Sequence, residues 1–208
     1  SSKKNSEVIH GNGVVQQLIN KNVTIDNSVP LKFCFAGNLA ESKGVRELIK
    51  ATQEIVIENN IELIIAGNHK ANKSDFISES LMKKIQKSDY IKYLGYVEHS
   101  KMSEVYLKSD VFILPSYGEG IPNSALEAAS YSLPLILSDI GGCRECINKN
   151  GFLVKPRNYH DLKEKMLMLI KDPMIIKEMS KNSLAHVNKN FSLNVITKKY
   201  LNLIERSY

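Results

Sequence analysis

Few of the patterns that announce a function at once are present in this sequence. Cysteine is scarce, three residues in 208. The odd number fits free thiols in a reducing compartment better than a disulfide framework. Cys34 falls in an apolar run and reads as a small buried core residue. Cys143 and Cys146 form a CxxC, but no second ligand pair at zinc spacing accompanies them. The pair does not follow the first strand of a thioredoxin-like unit either, which leaves a redox role with little support. No apolar run approaches the length that spans a bilayer, and no signal-peptide pattern is visible. Tyrosine and phenylalanine do not alternate with basic residues. With no nucleic-acid motif as well, nucleic acid is not an expected partner. No GxGxxG follows the first strand, and Lys43-Gly44 lacks the GxxxxGK[ST] frame of a P-loop.

What is present is ordinary in bulk and informative in order. The chain is 43% hydrophobic and 24% charged, with a formal charge of +6, as expected of a globular domain with a good core. The basic balance suits anionic ligands or an anionic membrane surface without choosing between them. A first residue that is not Met, and the opening Ser-Ser-Lys-Lys, point to a piece of something longer. Residues 1–30 are polar around VIHGNGVV and read as a linker with one short strand. From Leu31 onward the pattern is regular. KFCFAG, Ile61 to Ala66, Ile91 to Leu94, Val111 to Leu114, Leu133 to Leu137 and Gly151 to Val154 read as buried strands. Helical spacing lies between them: at Val45, Leu48, Ile49, Thr52, Ile55 and Val56, over Phe76 to Ile85, and over Met102 to Leu107. Gly141-Gly142 marks a loop before a short helix around Glu145. Three helical segments close the chain, from His160, from Pro173 and from Leu193.

Repeated strand–helix alternation predicts an α/β fold, a Rossmann-like doubly wound sheet of six parallel strands with a helical C-terminal tail. Right-handed crossovers favour the order 3-2-1-4-5-6. In that order strands one and four are neighbours at the switch point, where ligands bind beyond the carboxyl ends of the strands. The loops that meet there are GNLAESKG, from Gly37 to Gly44, and the segment after Leu114.

That second segment, FILPSYGEGIPNSALEAA from Phe112 to Ala129, carries the densest chemistry. Gly118 and Gly120 end the strand in a turn. Pro122 suits the first position of a helix, which makes Ile121 the N-cap, and Ile has no oxygen to satisfy the first helical N–H groups. Such a helix start is an anion site, with free N–H groups and the positive end of the dipole. Glu119 precedes the helix, and Glu127 shares a helix face with Asn123. Two carboxylates flanking an anion site suit hydroxyl groups, and phosphate with hydroxyls points to a sugar nucleotide. Lys43, at the start of a helix where its charge opposes the dipole, is a candidate phosphate partner. Taken singly, Glu119, Glu127 and Lys43 read better as solvated surface residues; the whole constellation favours the site.

Together with ELIIAG, IKYLGYV, LPLILSDIGGCRECI and NGFLVKP, these stretches resemble the C-terminal half of GT-B glycosyltransferases, closest to the retaining family four of group 1. The matching pieces run in order over residues 33–157, and the two glutamates with seven residues between them are the most specific. The resemblance implies a domain over residues 31–208 that binds a nucleoside-diphosphate sugar as substrate, with no cofactor and no metal. Glu119 would hold hydroxyls of the sugar, and Lys43 the phosphates, as the catalytic pair. Backbone around Gly120, Ile121, Pro122, Asn123 and Ser124 would hold the diphosphate, with Gly37 and Asn38 beside it. Glu127 would bind the ribose, and Tyr96, Val97 and the Gly67-Asn68 loop would frame the base. Asn38 stands where many members have Arg, which removes one cation from the phosphate site. The saccharide or lipid-linked acceptor would be met through an N-terminal domain outside this chain. The expected setting is cytoplasmic, with peripheral attachment to the inner face of a membrane permitted by the charge. Two alternatives stay open: another GT-B enzyme such as a sugar-nucleotide epimerase, and a non-catalytic sugar-nucleotide-binding subunit.

Overall fold

The computed structural model describes residues 13–15, 29–70 and 74–205. Its strands are β1 (Leu31–Ala36), β2 (Ile61–Ala66), β3 (Ile91–Gly95), β4 (Val111–Leu114), β5 (Leu135–Ser138) and β6 (Gly151–Val154). Its helices are α1 (Val45–Ile55), α2 (Glu79–Lys87), α3 (Met102–Leu107), α4 (Asn123–Ser130), α5 (Gly141–Glu145), α6 (Tyr159–Lys171), α7 (Pro173–Asn190) and α8 (Leu193–Glu205). The sheet is parallel throughout, in the order β3-β2-β1-β4-β5-β6. The switch point lies where Phe33 pairs with Val111 and Cys34 with Phe112.

The central strands are apolar without alternation because helices cover both faces. Phe33, Phe35, Leu63, Ile65, Phe112 and Ile113 are fully buried. Helix α1 lays Val45, Leu48, Ile49 and Ile55 onto the sheet. It packs against α6, where Lys163 Nζ donates to Glu54 Oε2 at 2.7 Å. Helix α7 packs on α4, and the buried Ser183 hydroxyl donates to the Leu133 carbonyl at 2.7 Å.

Several boundaries differ from the sequence reading for local reasons. The second helix starts at Glu79 rather than near Phe76, because the Ser78 hydroxyl accepts from the Leu81 N–H and caps it. Phe76 instead bridges Ala40. The fifth strand begins at Leu135, after Ser132 adopts a left-handed φ of 61°. Gly141 and Gly142 are not loop residues: they form the first turn of α5. Pro122 is the residue before α4, with an extended ψ of 111°, and Asn123 is the first helical residue, so Ile121 lies one position outside the cap. Lys43 does not begin α1: it ends a single 3-10 turn over Glu41–Lys43, and Gly44 separates it from the helix. Of the stretch VIHGNGVV, only residues 13–15 are described. Val14 makes one parallel bridge to Ser192, its N–H donating to the Phe191 carbonyl at 2.9 Å, and the rest of the expected short strand lies outside the described residues.

Candidate donor site at the switch point

Two loops meet beyond the carboxyl ends of β1 and β4, and backbone contacts lock them together. The Tyr117 N–H donates to the Ser42 carbonyl at 2.8 Å. Gly44 has a left-handed φ of 69°, and a β-carbon there would lie 2.0 Å from the Pro115 carbonyl oxygen. Only glycine permits both the conformation and the approach. On the other flank, a β-carbon at Gly142 would lie 1.8 Å from the Gly120 carbonyl oxygen, so α5 presses on the Glu119 loop from behind.

A cavity of about 430 Å³ opens between these loops. From the β1 side come Gly37, Asn38 and Lys43, and from the end of β2 come Gly67 and Asn68. Tyr96 and Val97 contribute from beyond β3, and Glu119, Pro122, Asn123, Ser124 and Glu127 from the β4–α4 segment. These are sites the sequence singled out, now in one place. Gly120 and Ile121 do not line the cavity. Gly120 is held against Gly142, and Ile121 packs against the core. Met102 and Tyr106 of α3 line the cavity as well and were not anticipated. Their helical spacing marked them only as packing residues.

The start of α4 has the predicted character although its cap is shifted by one residue. Pro122 supplies no side-chain cap, and its carbonyl accepts from Ala125 at 3.0 Å and from Leu126 at 3.2 Å. The N–H groups of Asn123 and Ser124 have no acceptor among the described residues. They stand at the positive end of the helix dipole.

Each glutamate has a partner. Lys43 Nζ donates to Glu119 Oε1, which also accepts from the buried Ser116 hydroxyl at 2.8 Å. Lys43 is the one lysine or arginine among the described residues that line the cavity. Glu127 Oε2 accepts from the Tyr106 hydroxyl at 3.1 Å, and His99 Nδ1 lies 3.7 Å from Glu127 Oε1. Burial first, and then the Glu127 carboxylate, push the Tyr106 phenol well above the ordinary tyrosine range. It therefore stays protonated and acts as a donor.

Cys143 and Cys146 are free and buried, and burial pushes both thiols up to about 12. A thiolate, which metal ligation and redox chemistry require, is disfavoured there.

A family model described as "Glycosyl transferases group 1" matches residues 17–186. One similar curated protein is the N,N'-diacetylbacillosaminyl-diphospho-undecaprenol alpha-1,3-N-acetylgalactosaminyltransferase of Campylobacter jejuni. It is 31% identical over 193 residues, which are 92% of this chain and 48% of that protein. Another is the capsular polysaccharide biosynthesis glycosyltransferase CapM of Staphylococcus aureus, 26% identical over 78% of this chain and 42% of its own. The chain thus spans about half the length of the curated relatives it matches. Among solved structures, sucrose-phosphate synthase from Thermosynechococcus elongatus superposes with a TM-score of 0.76 at 23% identity, over 88% of this chain and 46% of that one. The C-terminal domain of a group 1 glycosyl transferase from Francisella tularensis superposes with a TM-score of 0.71 at 22% identity, over 80% of this chain and 89% of that one. The fold, its strand order and the family model therefore agree: the chain belongs to the group 1 glycosyl transferases, with the architecture of a GT-B C-terminal domain.

Proposed function

We propose that this chain is the nucleotide-sugar donor-binding half of a retaining glycosyltransferase that builds a polysaccharide or glycolipid. The observation that carries the reading is the start of α4. Two backbone N–H groups with no acceptor among the described residues stand at the positive end of a helix, in the wall of a cavity bounded by Lys43 and Glu127. A diphosphate satisfies those N–H groups and the dipole together. Lys43 then leaves Glu119 for a phosphate oxygen, and Glu119 is left to accept from hydroxyls of the sugar. Glu127 accepts from the ribose, with the base toward Tyr96, Val97 and the Gly67-Asn68 loop. Because Asn38 carries no charge, Lys43 and the helix start do the neutralising between them.

Transfer breaks the bond between the anomeric carbon and the β-phosphate oxygen, and the electron pair leaves with the diphosphate. The acceptor hydroxyl oxygen bonds the same carbon, on the face the diphosphate left, and its proton goes to the departing phosphate. Preorganised positive potential at the leaving group lowers the barrier. The acceptor is held through a further domain, so this stretch alone binds donor without transferring it. No cofactor takes part in this scheme. The C. jejuni relative acts, by its name, on a lipid-linked sugar. An acceptor of that kind would bring the protein to the inner face of a membrane as a peripheral protein. Among the described residues no helix is long and apolar enough to cross one.

Calorimetry with UDP, GDP and ADP tests the reading. It expects saturable binding of at least one. A folded sample that binds none of them would sink it.

A further inference from the structure

Tyr106 lies on α3, lines the cavity, and is 1% exposed. The ring sits beside Phe112, at a centroid distance of 6.3 Å, and beside Tyr131, at 5.4 Å. A phenylalanine would fill that space equally well, so packing does not account for the hydroxyl. A buried hydroxyl needs a partner, and this one reaches out of the core to the first two turns of α4. It donates to Glu127 Oε2 at 3.1 Å and lies 3.5 Å from the Ser124 carbonyl. Two groups of the cavity wall are therefore referenced to one rigid aromatic residue. The Glu127 side chain is 25% exposed. Without the Tyr106 bond a glutamate there would sample more rotamers. Oε2 is tied to Tyr106, and Oε1 lies 3.7 Å from Nδ1 of the exposed His99.

We infer that the Tyr106 hydroxyl is a positioning group: it holds Glu127 so that the carboxylate can accept from the vicinal hydroxyls of the donor's ribose. The inference rests on the donor-binding reading above and adds to it a residue that acts through Glu127. A carboxylate already ordered before the ligand arrives loses no rotamer freedom on binding. Tyr106 thus sets how strongly the site prefers a ribonucleotide over its 2′-deoxy counterpart.

The test uses Tyr106→Phe, which keeps the ring and removes the hydroxyl. Affinities are measured by calorimetry for UDP, GDP and ADP and for the 2′-deoxy form of each. Wild type is expected to bind at least one ribonucleotide, and to bind it more tightly than the deoxy form. In Tyr106→Phe the ribonucleotide should weaken by about two- to tenfold, with little change for the deoxy form, so the preference shrinks. A merely structural role would weaken both ligands alike and leave the ratio intact, and that result would overturn the inference. Glu127→Ala supplies an independent arm that removes the carboxylate itself and keeps the Tyr106 ring in place. It should abolish most of the preference, and adding Tyr106→Phe to it should change nothing further. An unaltered preference in Glu127→Ala, or additive effects in the double variant, would also overturn it. If wild type binds none of the nucleotides, the donor-binding reading itself fails. If wild type binds and Tyr106→Phe is indistinguishable from it, that reading stands and the inference alone falls.

Discussion

Removing the Glu119 carboxylate should tighten, not weaken, the binding of a plain nucleoside diphosphate. Read from sequence, Glu119 concerns only the sugar. In the structure it also holds Lys43, the cavity's one lysine or arginine among the described residues, so the phosphate must compete with it. The side chains are 31% exposed for Lys43 and 14% for Glu119. For unit charges about 3 Å apart in an effective dielectric near 20, the gross attraction is on the order of 5 kcal/mol. Desolvation and side-chain ordering cancel most of that, leaving a net of about 1 kcal/mol for a partly exposed pair. Glu119→Ala frees Lys43 and deletes a negative charge beside the diphosphate. The plain diphosphate should then bind roughly three- to tenfold more tightly. The sugar nucleotide also loses a hydroxyl-to-carboxylate hydrogen bond worth about 1.5–3 kcal/mol, so its advantage over the plain diphosphate should fall by about tenfold to a hundredfold. Calorimetry of both ligands at low salt reads the two changes separately. If Glu119→Ala weakened the plain diphosphate, Glu119 would not be competing for Lys43 and the assigned orientation of the donor would be wrong.

Other expectations follow from the same geometry. Lys43→Ala should weaken the diphosphate and flatten its salt dependence, because a counterion-screened contact is lost; a dissociation constant unchanged across a salt series would return Lys43 to the ordinary surface. Gly142→Ala places a β-carbon 1.8 Å from the Gly120 carbonyl oxygen, whereas Gly141→Ala meets nothing within 4 Å. The first should cost roughly 2–4 kcal/mol and disturb donor binding, and the second should be neutral or stabilise α5 by up to about 1 kcal/mol. Equal melting temperatures for the two variants would contradict the close packing of α5 on the Glu119 loop. The Cys143 and Cys146 thiols are pushed up to about 12 from an ordinary 9.0. Above pH 9 the unfolded chain loses these protons first, so the folded state binds more of them. Stability should therefore fall as pH rises from about 9 toward 12, by about 1.4 kcal/mol per unit for each thiol. Denaturation of wild type and of Cys143→Ala/Cys146→Ala between about pH 8 and 10.5 checks this. The double variant should show the flatter slope, and identical slopes would refute it.

The strand order and most helices were legible because they are written in local periodicity, and buried parallel strands leave runs such as KFCFAG that little else produces. The meeting of the β1 and β4 loops was legible too, because topology puts them side by side whatever their residues. What stayed hidden depends on residues far apart in the chain. Gly141-Gly142 reads as a loop by composition, yet the glycines are needed so that a helix can press on the Gly120 carbonyl more than twenty residues earlier. Tyr106 has the spacing of any core aromatic, and nothing local tells that its hydroxyl ends on Glu127. Lys43 and Glu119 were each assigned a ligand, but 76 residues separate them and their bond to one another could not be foreseen. The cap moved from Ile121 to Pro122 because a proline with an extended ψ serves as the cap itself, a choice that the fixed φ of its ring does not decide.

The central claim is that the start of α4 holds the donor's diphosphate. Amide chemical shifts of Asn123 and Ser124, followed by ¹⁵N NMR while UDP, GDP or ADP is titrated in, test it most directly. With the nucleotide that binds, these two amides should move downfield together, ahead of every other residue of α4, and the same titration with the free nucleoside should leave them in place. Saturable binding that shifts amides elsewhere while Asn123 and Ser124 stay still would contradict the claim.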